Sequence, residues 1–102
     1  MIHVLAVITA KPGQRDRILE AFRDNVPAVR AEAGCLAYDA VVDVANPAPG
    51  FAQFGADAFV VVEKWASLEA LQAHAVAPHR KAYAGKVKEF TASRAIHVLE
   101  PA

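Results

Sequence analysis

Residues Ile2 to Ala10 alternate with a period of two, and yet both faces of the resulting strand are largely apolar. Ile2, Val4, Ala6 and Ile8 fall on one side, and His3, Leu5, Val7 and Thr9 on the other. A strand of this kind has to be covered twice, by helices on one face and by something else on the other. The chain has only 102 residues, of which 55% are hydrophobic. A domain of this size has little interior in which to hide that much apolar surface. Part of it is therefore expected to face a second subunit.

The rest of the chain supplies the cover. Lys11-Pro12-Gly13 breaks the first strand and opens a helix running to about Ala33, with Ile18, Leu19, Phe22, Val26 and Val29 as its apolar stripe. Pro27 removes one backbone hydrogen bond inside it, which predicts a kink near Arg23 to Pro27, and Gly34 is expected to end it as a C′ glycine. Cys35 to Val44 reads as a second strand. A Pro- and Gly-rich connection follows from Ala45 to Ala58, long for a hairpin. Its aromatics, Phe51 and Phe54, call for cover by a pocket mouth or a neighbouring subunit. Phe59 to Trp65 is the third strand. Ser67 is a good N-cap for a short helix, Leu68 to Val76, and Pro78 stops it and starts another, to about Glu89. Ala92 to Glu100 alternates again as the last strand. The order β-α-β-β-α-β is the ferredoxin-like, split βαβ pattern of the α+β class, and the reading is of one domain over residues 1–102. Right-handed crossovers place the first strand between the third and fourth, in an antiparallel four-stranded sheet with helices on one face. The other face, with Leu5 and Val7, suits a homodimer packed sheet to sheet.

Charge narrows the function. Eleven basic residues balance eleven acidic ones without runs of like sign, so no electrostatic footprint points to nucleic acid or an anionic membrane. No segment is long and apolar enough for a membrane span, and the opening apolar run lacks the basic flank of a signal peptide. The single Cys35 fits a reducing compartment and reads as a small hydrophobe, so a cytoplasmic protein is expected.

Chemistry-bearing residues gather between Glu63 and Tyr83. Period two puts Glu63 and Trp65 on one face of the third strand, and two of the chain's four histidines, His74 and His79, lie either side of Pro78. An apolar chamber with an indole wall, two imidazoles and a carboxylate suits a flat aromatic ligand with ionisable oxygens. A histidine there can take a phenolic proton, and a carboxylate can orient its ring. Ordinary structural roles fit the same residues: Trp65 as core, His74 on a helix surface, His79 against a helix start, Glu63 paired with a basic side chain. Metal ligation is not expected, because the histidines miss the i, i+4 spacing of one helix face and no further ligand cluster is visible.

Three separated stretches carry a family likeness: Glu32-Ala33-Gly34-Cys35-Leu36-Ala37-Tyr38, Val62-Glu63-Lys64-Trp65, and Glu69 to His74 with Ala77-Pro78-His79. Together they closely resemble the antibiotic biosynthesis monooxygenase family. The likeness extends from Lys11-Pro12-Gly13-Gln14 to the closing Ile96 to Pro101, and the long hairpin loop is similar to that of the quinol monooxygenase subgroup. The resemblance implies a dimeric α+β barrel with a pocket between sheet and helices. It also implies a monooxygenase that uses O2 on a quinol or polyketide-like phenol with no cofactor. On that footing His79 or His74 is the base, with His79 preferred because Pro78 fixes its backbone. Glu63 orients, and Trp65, Tyr38, Tyr83 and Phe54 bind the aromatic substrate. Relatives that degrade haem use an asparagine on the first strand; here the asparagines are Asn25 and Asn46, which argues against haem breakdown. Isomerisation of a phosphorylated sugar stays open through Arg80, Lys81 and Arg94, and so does a binding or sensing dimer without turnover.

Overall fold

The computed structural model describes all 102 residues. Strand β1 (Ile2–Ala10) lies inside the sheet, antiparallel to β3 (Ala58–Trp65) on one side and to β4 (Thr91–Leu99) on the other, with β2 (Cys35–Val41) on the far edge of β3. The order β2-β3-β1-β4 is the ferredoxin-like one expected of this sequence. Helices α1 (Arg15–Arg30), α2 (Leu68–Ala75) and α3 (Pro78–Val87) follow the same chain order, and a short 3-10 turn at Lys88–Phe90 leads into β4.

Helix α1 buries Ile18, Leu19, Phe22 and Val29 of the predicted stripe on the sheet, with Val26 partly buried beside them. The core they enter is aromatic at its centre. Phe22 stacks on Tyr38 with ring centroids 5.0 Å apart and meets Phe59 and Tyr83 edge-on. Across the sheet the strands differ sharply. Every residue of β3 except Val62 and Lys64 is buried, whereas every residue of β4 after Thr91 is exposed. The helices sit over β2, β3 and β1 and leave the β4 side open.

Two boundaries differ from expectation, each for a local reason. Helix α1 is one element through Pro27 but stops at Arg30, where the Ala31 and Glu32 amides bond back to Pro27 and Val29 in a tightening turn. Gly34 is therefore not the helix C′ residue. It has φ +82° inside a second turn, closed by the Cys35 amide on the Glu32 carbonyl, a conformation that favours glycine. Strand β2 ends at Val41, short of Val44, because Asp43 begins a separate structure. Its carboxylate accepts the Phe54 and Gly55 amides at 3.0 and 2.8 Å, and these two bonds lower its pKa. Asp43 thus ties the long connection together, while Phe51 and Phe54, expected to order it by burial, are both exposed in the chain.

Candidate active site

A cavity of about 750 Å³ lies between the inner face of β1 and β4 and the helices α2 and α3. Its walls are mostly apolar, from Val4 and Ala6 on β1 to Leu71 on α2 and Ile96 on β4. That volume and lining suit a small organic ligand. The open side runs along β4, where Ile96 and Val98 are half exposed.

Polar groups enter this apolar space at one end. Glu63 on β3 is buried, lines the cavity and accepts a hydrogen bond from the Trp65 indole Nε1–H at 2.9 Å. Burial, the largest influence, raises its pKa, against lowering by the indole bond and the nearby His74 and Arg80. Tyr38 and Tyr83 also line the cavity. Burial raises the Tyr38 pKa well above the usual phenol value and pushes Tyr83 up to about 12. Both phenols are thereby held neutral, as hydrogen-bond donors.

His74 comes to the cavity wall through a close backbone approach. A Cβ on Gly34 would meet the Ala70 Cβ at 2.7 Å, so only a glycine lets α2 settle this near the α1–β2 turn. The Ser67 side chain caps α2 by accepting the Ala70 amide, as expected from the sequence. One turn beyond Ala70, His74 then lies over Glu32, and its Nδ1 is 2.8 Å from the Glu32 Oε2. The same oxygen is 2.8 Å from His79 Nε2, at the start of α3 behind Pro78. A carboxylate oxygen only accepts, so both ring nitrogens donate. When its ring is neutral, His74 is then the Nδ1–H tautomer, with the lone pair on Nε2.

The cavity divides the residues singled out from the sequence. Glu63, His74, Tyr38 and Tyr83 line it. His79 does not; it stands behind His74, on the outer side of Glu32. Trp65 does not either: the ring is fully buried, with its centroid 4.8 Å from that of His74, so it backs the site and offers no face to a ligand. Phe54 is exposed beside Val41 and Val42, away from the cavity of its own chain. The carboxylate hydrogen-bonded to both histidines is Glu32, where Glu63 was expected. Its sequence signal was weak, a polar residue just beyond a helix end. Of the basic residues, Arg80 and Arg94 reach the cavity wall and Lys81 does not. Cys35 is partly buried, and its thiol pKa is raised by burial and by Glu32, the opposite of an activated nucleophile.

A ferredoxin-like sheet with a ligand-sized cavity under α2 and α3 places the chain in the α+β class. Residues 1–86 match the antibiotic biosynthesis monooxygenase family, and the chain belongs to it. It is 38% identical to the probable quinol monooxygenase YgiN of Escherichia coli over 99% of this chain and 98% of that one. Solved structures from Pseudomonas aeruginosa and Mycobacterium tuberculosis superpose with TM-scores of 0.81 and 0.79, each at 27% identity. They cover 99% of this chain in both cases, and 93% and 94% of their own. A crystal structure described as an antibiotic biosynthesis monooxygenase gives 0.82 at 26% identity, over 100% of this chain and 99% of its own.

Proposed function

We propose that this chain is a cofactor-independent monooxygenase that oxidises a quinol or polyketide-like phenol with O2 through the substrate anion. The observation that carries this reading is His74, in the wall of an apolar cavity with its Nδ1–H fixed on Glu32. The free Nε2 accepts the acidic proton of the bound substrate, and Glu32 stabilises the imidazolium that forms. This reverses the preference for His79, which lines no part of the cavity.

Tyr38 and Tyr83, kept neutral, donate hydrogen bonds to the anion. Glu63, at the cavity wall on the Trp65 indole N–H, has its pKa raised first by burial, which lessens its repulsion of a bound anion. The electron-rich anion then reduces dioxygen directly. At a reacting methylene carbon, as in an anthrone, one oxygen atom becomes the new carbonyl. Both hydrogens of that carbon leave with the other oxygen atom, so one methylene compound and one dioxygen give one ketone and one water. Arg80 and Arg94 suit a ligand that carries additional negative charge.

The working form in this proposal is a cytoplasmic homodimer. Leu5, exposed on the outer face of the sheet, and the free Cys35 support those two parts. Oxygen consumption with a panel of quinols and anthrones, beside direct binding of each, tests the whole. Turnover of at least one class is expected. Binding of these compounds with no oxygen uptake would make the protein a binding module instead.

A further inference from the structure

We infer that Glu32, His74 and His79 form a divalent-cation site, of the nitrogen–oxygen type that zinc prefers, and that filling it switches off the base. The second half rests on the reading of His74 as base; the first does not. The sequence argued against a metal because two histidines across a proline lack a third ligand. The fold supplies it from 42 and 47 residues away, in the turn after α1.

The three ligand atoms, Glu32 Oε2, His74 Nδ1 and His79 Nε2, all lie within 4.8 Å of one another. Tetrahedral zinc, with bonds of about 2.0–2.2 Å to nitrogen and oxygen, needs its ligands about 3.4 Å apart. The two nitrogen–oxygen distances of 2.8 Å have to open, and the two ring nitrogens, within 4.8 Å of each other, have to close toward that spacing, both by side-chain rotation. Two imidazoles and one carboxylate are a known zinc donor set that leaves a position for water. Access is from outside the cavity: the side chains are 30% exposed at His79, 14% at Glu32 and 6% at His74. A cation can therefore arrive without displacing a ligand from the cavity.

Occupancy has a definite consequence at His74. A neutral imidazole that gives its Nδ1 lone pair to a metal carries its hydrogen on Nε2. The other ring nitrogen, Nε2, then donates and can no longer accept. The Glu32 carboxylate, now bound to the metal, also ceases to stabilise an imidazolium. One cation, bound from outside the cavity, thus exchanges the active tautomer for the inactive one.

The test titrates zinc chloride into the metal-free full-length protein by calorimetry, with a cobalt(II) absorption spectrum to report tetrahedral ligation. One ion per chain is expected. His79→Ala and Glu32→Gln should each weaken binding by more than the roughly 10–100-fold typical of losing an outer-shell partner. His79→Gln, at the most exposed ligand, guards against an unfolded variant. Removing the two other histidines together, His3→Gln with His97→Gln, should leave affinity unchanged. Absence of stoichiometric zinc, or equal affinity in the ligand variants, overturns the site. In the wild type, loss of oxygen uptake should track occupancy, and His3→Gln with His97→Gln should be inhibited equally. Stoichiometric zinc with undiminished turnover would overturn the switch while leaving the site standing.

Discussion

Glu32 and Glu63 stand in one corner of the molecule and are handled in opposite ways. Glu32 sits in a turn, partly open to solvent, and one of its oxygens takes hydrogen bonds from two imidazoles. Glu63 sits mid-strand, buried at the cavity wall, with a single indole N–H for company and a raised pKa caused first by burial. The first arrangement suits a charge that holds other groups in place. The second suits a carboxyl that meets a ligand, because the partners it lacks in the protein have to come from the cavity. Residue type alone does not separate the roles; the surroundings do.

The contrast breaks most visibly at the histidines. His74→Ala is expected to slow the chemical step by roughly 10²–10⁴, the usual contribution of a positioned base, with substrate binding much less affected. His79→Ala, on the far side of Glu32, should cost less than about tenfold. Single-turnover kinetics and separate binding measurements on the two variants check both, and a larger loss at His79 would reverse the assignment.

Gly34→Ala attacks the geometry that brings Glu32 under His74. The added methyl meets Ala70 and the backbone is at positive φ, so overpacking and left-handed strain together should destabilise by about 2–4 kcal/mol. For a chain of this length that lowers Tm by roughly 10 °C or more, measurable by calorimetry. Turnover should fall with it even at temperatures where the variant is folded.

Glu63 makes a smaller, pH-dependent prediction. Its folded-state pKa lies above the ordinary 4.5, so the native state keeps a proton that the unfolded chain loses sooner. That stabilising contribution is complete below the ordinary pKa and disappears as pH rises through the folded value. Glu63→Gln, which keeps an acceptor for Trp65 and cannot ionise, should therefore melt above wild type near about pH 8, with the gap closing toward acid. A gap that widens toward acid would contradict the burial account.

The smallest effect belongs to Asp43. Asp43→Ala should expose residues 44–54 to faster proteolysis while turnover stays at the wild-type level, since the loop is clamped by that carboxylate and lies off the cavity of its own chain. Unchanged proteolysis would mean that Phe51 and Phe54 hold the loop through contacts with another chain.

These outcomes also mark what a reading of the residues could reach. The strands followed from period-two alternation, and Ser67 and Pro78 fixed the helix starts because capping and proline geometry are local. The role of Glu32 was out of reach for the opposite reason: it opens a family-like stretch, but its two partners lie 42 and 47 residues away. Alternation put Trp65 and Glu63 on one face correctly, but it carries no depth, so it could not tell a buried backing ring from a ligand-facing one. Phe51 and Phe54 suggested cover because aromatics usually have it, but within one chain both are exposed and Asp43 supplies the loop's hydrogen bonds.

The most direct measurement of the central claim leaves oxygen out. An anthrone mixed anaerobically with the protein should develop the red-shifted absorption of its anion, to one equivalent per cavity, because His74 takes the proton before any oxidation occurs. His74→Gln should bind the same compound without that absorption, and Glu63→Gln should still form it. If His74→Gln forms the anion as fully as wild type and Glu63→Gln does not, the roles assigned to the two sides of this corner are exchanged and the account is wrong.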